Sequence, residues 1–99
     1  MMKFQLGKLV ETRAVADRMQ ADKTFEKFVY SSLERYIDGD WGSIDDSDKA
    51  LNDNAVKTRE SRIIAAYIDQ SDTMIWIITE WDRSVTTILF PYGYILTDY

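Results

Sequence analysis

The chain has 99 residues, a formal net charge of −5 and 45% hydrophobic residues, so we expect one core and a single domain over residues 1–99. It contains neither cysteine nor histidine, which excludes disulfides, thiolate zinc sites and catalysis by a thiol or an imidazole. The negative charge disfavours nucleic acid as a partner, because phosphate backbones attract cationic surfaces.

The first elements are predicted to be a strand and a short helix. Residues 3–11 alternate between apolar and polar side chains, as half-buried strands do. Thr12 carries a hydroxyl suited to cap a helix, and that helix runs to about Ala21 with Val15 and Met19 on one side. No apolar run in this region has the form of a signal peptide, and none along the chain is long enough to span a bilayer, so we expect a cytoplasmic protein.

Two further helices are expected before residue 60. The second ends near Ile37, with Asp22 or Thr24 as its N-cap, and its apolar side chains recur at three- and four-residue spacing. This spacing places Phe28 and Leu33 in the core.

The third helix lies within residues 43–57, which read SIDDSDKALNDNAVK. Asp45 and Ser47 are both suited to cap it. Its pattern predicts that Leu51 and Ala55 are buried.

Three strands follow, over residues 62–69, 74–79 and 85–90, which are rich in Ile, Thr, Trp and Tyr. The connections between them are short enough for hairpins, so we expect an antiparallel meander to which the first strand adds at an edge. The predicted fold is α+β, with an antiparallel sheet of about four strands, three helices on one face and the order β-α-α-α-β-β-β. Pro91 ends the last strand, and residues 91–99 are interpreted as a tail that docks or frays.

The strand over residues 74–79 is apolar on both faces. Ile75 and Ile77 lie on one face, and Trp76 and Ile78 lie on the other. This predicts a central position, with helices on one face and a cover on the other. Three covers fit this second face: the tail, a second copy of the chain in a homodimer, or a ligand.

The turn between the last two strands is unusually rich in polar and aromatic residues, with Glu80, Trp81, Asp82 and Arg83 in sequence. In a structural interpretation, Asp82 bonds the turn backbone, Arg83 pairs with Glu80 or Asp82, and Trp81 covers the end of the sheet. In a functional interpretation, Arg83 holds an anion and Trp81 stacks on the ligand. The candidate residues for ligand or partner binding are Arg83, Trp81, Glu80, Asp82, Arg13 and Thr87.

The segment from residue 38 to residue 53 is rich in aspartate. It fails the calcium-loop pattern, which requires a glycine at the sixth position and a glutamate at the twelfth, so no metal site is expected. Asp45, Asp46 and Asp48 lie at the N-terminus of the third helix, where the helix macrodipole stabilises negative charge. The same three residues form an acidic surface that suits a basic partner. No pair of carboxylates has the spacing of an acid and a base, so we expect no catalytic residue, no cofactor and no enzymatic activity.

Four segments carry a resemblance to a known family: FQLGKLVETRAV, GDWGSIDDSDKALNDNAV, SRIIAAY and IWIITEWDRSVTTILFPYGY. The chain resembles small proteins of Gram-positive bacteria, frequent on plasmids, conjugative elements and phages, whose members are often labelled plasmid-related or type I restriction-modification subunit. The second label does not suit a chain without the glycine-rich turn that a methyltransferase fold requires.

The resemblance implies an accessory protein of a mobile genetic element. We expect it to act by binding, as an inhibitor or modulator of a host defence system with a protein partner. The alternative is a module that binds or sequesters a small anionic metabolite or nucleotide.

Overall fold

The computed structural model describes residues 3–91, which form three helices and four strands. In chain order these are β1 (Lys8–Glu11), α1 (Arg13–Ala21), α2 (Lys23–Ile37), α3 (Asp46–Thr58), β2 (Ile63–Ile68), β3 (Met74–Thr79) and β4 (Val85–Leu89). The α+β fold and the element order are confirmed. The predicted tail, apart from Pro91, lies outside the described residues.

The sheet has the strand order β1-β4-β3-β2, so β3 is central and β1 lies at an edge, as predicted. The prediction of a purely antiparallel sheet was wrong, because β1 runs parallel to β4 while the other two strand pairs are antiparallel. Hairpins fix the directions of β2, β3 and β4. The chain between β1 and β2 passes through three helices, and such a connection leaves either direction open.

Gly7 explains why β1 is shorter than predicted. Its φ is +65°, in the left-handed region, and a Cβ at this position would collide with the carbonyl oxygens of Arg83 and Ser84. Glycine therefore allows the chain to turn sharply against the β3–β4 turn. Phe4 and Leu6, on the N-terminal side of this turn, pack against the core instead of extending the strand.

Side-chain caps fix the beginnings of the helices, because they satisfy backbone N–H groups that the first turn leaves without partners. Thr12, Asp22 and Asp45 accept hydrogen bonds from the backbone N–H groups at the start of α1, α2 and α3. All three positions were among the predicted caps.

The core lies between the three helices and one face of the sheet. Val15 of α1, Tyr36 of α2 and Ala55 of α3 contribute to it. The strands contribute Ile63, Ala65, Tyr67, Ile75, Ile77 and Ile88.

Helix α2 is rotated slightly from its predicted orientation. Ser32 is buried and donates a hydrogen bond to the carbonyl of Phe28, 2.8 Å away. Phe28 and Leu33 are only partly buried, so their predicted full burial was wrong. The buried positions are Phe25, Val29, Ser32 and Tyr36.

Helix α3 also departs from its predicted orientation, with a larger consequence. Ala55 is buried as predicted, but Leu51 is 66% exposed, so its predicted burial was wrong. Asn52 takes the inward position. Its side-chain amide donates to the Ile64 carbonyl at 2.8 Å and accepts from the Ile64 N–H at 3.3 Å.

Across residues 3–91, no helix has both the length and the apolar character needed to cross a membrane.

Candidate functional site

A groove of about 520 Å³ lies on the second face of the sheet, beside α3. We call it the α3 groove. Its apolar lining consists of Ile44, Leu51, Ile64, Trp76 and Ile78, and its polar lining includes Asp48, Asn54 and Arg62. The register pairs Ile64 with Ile78, on the face opposite the helical core. The face predicted to be apolar therefore forms the floor of a concave surface.

Helix α3 is held in place at the wall of this groove by contacts to β2 and to Trp41. Asn52 occupies the outer hydrogen-bonding edge of β2 at Ile64. The indole N–H of Trp41 donates to Asp53 at 2.9 Å, and Trp41 is itself buried. The Ser43 N–H donates to the Ala66 carbonyl at 2.8 Å, so the segment preceding α3 continues the cover of the β2 edge. The groove is consequently built on fixed elements.

The acidic residues at the start of α3 have separate roles. Asp45 caps the helix, and the hydrogen bond from the Asp48 N–H lowers the pKa of its carboxyl below the ordinary value. Asp46 and Asp48 are exposed in the first turn, where the helix macrodipole favours negative charge. Asp48 also lines the α3 groove, so the acidic surface adjoins an apolar one.

Arg83 is the centre of the β3–β4 turn. Its φ is +61°, and its N–H closes the turn onto the Glu80 carbonyl at 2.9 Å. Its guanidinium donates to the carbonyls of Ser61 and Ala55, both at 2.8 Å. Two further bonds reach the carbonyls of Glu80 and Trp81 within the turn. The predicted pairing with the carboxylate of Glu80 or Asp82 is replaced by bonds to carbonyls.

These bonds give Arg83 a structural role with partners that the turn sequence alone did not indicate. They join the β3–β4 turn to the end of α3 and to the segment that leads into β2. The predicted bond from Asp82 is present, because its carboxylate accepts from the Ser84 N–H at 3.0 Å. Trp81 is 62% exposed, so it does not cover the end of the sheet.

A second, smaller concavity of about 180 Å³ adjoins this turn. We call it the Trp81 concavity. Its lining residues are Lys3, Phe4, Gln5, Val56, Arg59, Trp81, Asp82 and Arg83. It unites three of the predicted binding residues, Trp81, Asp82 and Arg83, with Arg59, which the sequence did not single out. Glu80 belongs to the same turn but does not line the concavity.

The other two predicted binding residues lie elsewhere. Arg13 begins α1, its side chain is 94% exposed, and it lies 3.9 Å from Asp17. Thr87 pairs with Ile78 and Val10 in the sheet, on the face away from the helices. Arg13 and Thr87 therefore do not join the turn cluster.

A buried chain of hydroxyl groups crosses the core near the turn. The phenol oxygen of Tyr36 lies 2.7 Å from the Thr79 hydroxyl, which lies 2.7 Å from the Thr86 hydroxyl. Thr86 donates to the Leu6 carbonyl at 2.7 Å. The hydroxyl of Thr86, the neighbour of Thr87 in sequence, is thus used inside the protein.

Within residues 3–91, no group of three or more acidic side chains is arranged to hold a metal ion. Comparison of the chain with family models, curated proteins and solved structures gave no match.

Proposed function

We propose that this chain is a non-enzymatic accessory protein of a mobile genetic element that acts by binding a protein. The partner is a component of a host defence system, and the interaction takes place in the cytoplasm without metal or cofactor. The sequence resemblance supports the association with mobile elements and with defence. The α3 groove supports the mode of action, because it is a concave, largely apolar surface of about 520 Å³.

The observation that carries this proposal is the exposure of Leu51 above an apolar floor. Leu51 is two-thirds exposed and lies next to the apolar floor, and together they form one contiguous apolar surface, which marks an interaction site better than a single exposed leucine does. Asn52 holds the helix in this orientation, so Leu51 has no route into the core. Leu51, Ile64 and Ile78 are then arranged to receive one or two apolar side chains of a partner.

The charges around the groove define the partner further. Asp48 and Arg62 line the groove, and the N-cap Asp45 together with Asp46 makes the α3 side of it acidic. The whole chain carries a net charge of −5. A partner segment with apolar side chains flanked by lysine or arginine fits this surface, because opposite charges speed association and select the partner.

A nuclease assay tests the proposal. The chain is titrated into purified restriction and RNA-guided nucleases of the host, and DNA cleavage is measured. We expect the wild type to inhibit one of these enzymes and Leu51→Asp to lose inhibition, while Tyr30→Asp retains it. Tyr30 is a matched control, since it is 54% exposed on α2 and lies in neither concavity. Cleavage unaffected by the wild type in every assay contradicts the proposed role in defence.

A second copy of the chain is the competing occupant of the groove. Sedimentation of the wild type and of Leu51→Asp separates the two cases. We expect both proteins to be monomers at micromolar concentration. A wild-type dimer that Leu51→Asp dissociates would assign the groove to self-association instead.

A further inference from the structure

We propose that the Trp81 concavity is a separate binding site for a small phosphorylated aromatic ligand of the nucleoside monophosphate type. In this site Arg59 holds the phosphate and the indole of Trp81 stacks on the ring. The site is distinct from the α3 groove and does not depend on it. Its lining shares no residue with the lining of the groove.

The first support is a pair of arginines without carboxylate partners. Within residues 3–91, neither Arg59 nor Arg83 lies within ion-pair distance of an acidic side chain. Arg83 donates to neutral carbonyl oxygens, which leave its charge unbalanced. Lys3 also lines the concavity, and Asp82, the acidic residue of the lining, offsets one of these three positive charges. The concavity is therefore locally positive on a protein that is negative as a whole.

The second support is that the backbone of both arginines is constrained. Arg59 has φ +59° and Arg83 has φ +61°, both in the left-handed region that residues other than glycine seldom adopt. Arg59 caps the C-terminal end of α3, where its N–H donates to the Ala55 carbonyl at 2.9 Å. Arg83 donates to the same Ala55 carbonyl at 2.8 Å. One carbonyl oxygen thus fixes the backbone of Arg59 relative to the guanidinium of Arg83.

The third support concerns the division of roles between the two arginines. The guanidinium of Arg83 makes four bonds to carbonyls, and its charge contributes to the local field without moving toward a ligand. Arg59 is exposed and its guanidinium makes no hydrogen bond within residues 3–91, so its planar fork is available to a phosphate.

The exposed indole of Trp81 indicates that the ligand carries an aromatic ring besides its phosphate. At 62% exposure it presents most of its indole to solvent beside the two arginines. Stacking of a base on such a side chain contributes about 1–3 kcal/mol. A volume of about 180 Å³ holds a phosphate group but not a whole nucleotide, since pockets for larger ligands begin at roughly 300 Å³. We therefore place the phosphate inside the concavity and the aromatic ring outside it, stacked on Trp81.

A small ligand suits this site better than a nucleic-acid strand. Polymer binding depends on many phosphate contacts along a basic surface. Here the positive region is confined to one concavity, and the remainder of the protein carries the opposite charge. A single phosphate is attracted locally, whereas a long strand would be repelled by its neighbours.

Nuclear magnetic resonance titration of the ¹⁵N-labelled full chain tests the site, with AMP, adenosine and inorganic phosphate as probes. We expect AMP to shift the Trp81 indole and Arg59 side-chain signals. AMP should also bind more tightly than adenosine or inorganic phosphate alone. Arg59→Gln should weaken AMP binding by about tenfold, as expected for loss of a charged phosphate contact. The same change should leave adenosine binding unaltered. Trp81→Ala should weaken both AMP and adenosine.

Arg62→Gln is the matched control, because it removes the same charge from an exposed arginine that lines the other concavity. It should bind AMP as the wild type does. Unshifted Trp81 and Arg59 signals at millimolar AMP would overturn the proposal. An equal loss of AMP affinity in Arg59→Gln and Arg62→Gln would overturn it as well. Phosphate that binds as tightly as AMP would overturn the stacking role of Trp81. These measurements involve no protein partner, so failure here leaves the role of the α3 groove intact.

Discussion

The side-chain amide of Asn52 forms two hydrogen bonds to the backbone of Ile64, donating to its carbonyl at 2.8 Å and accepting from its N–H at 3.3 Å. The pair completes the outer edge of β2, where an unpaired strand would otherwise attract another chain. The same pair fixes the rotation of α3 and places Leu51 at the groove. One contact thus links the stability of the sheet to the exposure of the proposed binding surface.

Asn52→Ala should lower the free energy of unfolding by about 1–3 kcal/mol, because it leaves two backbone groups of Ile64 without partners in a partly buried position. Urea denaturation followed by circular dichroism measures the change. Asn54→Ala is the control, since Asn54 is exposed on the same helix, and it should alter stability by less than about 0.5 kcal/mol. Equal effects of the two substitutions would contradict the edge-pairing role of Asn52.

Arg83→Ala should destabilise the protein by about 2 kcal/mol or more, because it removes the charged hydrogen bonds by which the guanidinium contacts four backbone carbonyls. An exposed ion pair, as first inferred from the turn sequence, would contribute about 1 kcal/mol or less. Thermal and urea unfolding distinguish the two values. Arg62→Ala removes an exposed arginine nearby and should have little effect. A loss for Arg83→Ala no larger than that control would restore the simple turn interpretation.

Alkaline pH should destabilise the fold through Tyr36 and Tyr67. Burial raises the pKa of both phenols above their ordinary value, and each donates a hydrogen bond to a backbone carbonyl, of Ile63 and Asp40 respectively. Raised pKa values in the folded state mean that the stabilisation is complete below the unfolded-state pKa, near pH 10, and is lost as the pH rises above it. Each phenol contributes a slope of up to about 1.4 kcal/mol per pH unit.

Urea unfolding between pH 8 and 11 measures this slope. Replacement of Tyr67 by Phe should reduce it, because one of the two phenols no longer titrates in the unfolded state. A slope unchanged by Tyr67→Phe would show that other groups cause the loss of stability at alkaline pH.

Local chemistry made much of the fold predictable. Thr12 and Asp22 are hydroxyl and carboxylate side chains directly before amphipathic helices, and both act as caps. The apolar character of both faces of Met74–Thr79 correctly indicated a central strand. The direction of β1 carried no such signal, because its partner β4 lies beyond three helices and no hairpin joins them.

The candidate sites depended more on distant partners, which a single sequence does not display. A pattern of apolar spacing places Leu51 inside, and only the bonds from Asn52 to Ile64 reverse that orientation. Arg83 lies within three positions of two carboxylates in sequence, Asp82 and Glu80, yet its side chain also bonds the carbonyls of Ala55 and Ser61, more than twenty positions away. Polar residues that bond remote backbone are thus the features that sequence reasoning missed.

Leu51→Asp should leave the fold almost unchanged, with a change of less than about 0.5 kcal/mol in the free energy of unfolding, because the side chain is already largely in solvent. It should nonetheless abolish partner binding, since a carboxylate cannot be buried in an apolar contact without a large desolvation cost. Asp48→Lys should slow association more than it speeds dissociation, because the residue lies at the rim and acts on encounter.

The most direct test of the α3 groove as the binding surface is site-specific photo-cross-linking followed by an affinity measurement. A benzophenone amino acid is placed at position 51 or at position 30, the host lysate is irradiated, and the protein cross-linked at position 51 is purified. We expect this partner to cross-link from position 51 and not from position 30. Calorimetry should then show that it binds the wild type and Tyr30→Asp equally and Leu51→Asp at least about a hundredfold more weakly, the loss typical of a central contact residue. Equal affinity for all three proteins would contradict the assignment of the α3 groove as the binding surface.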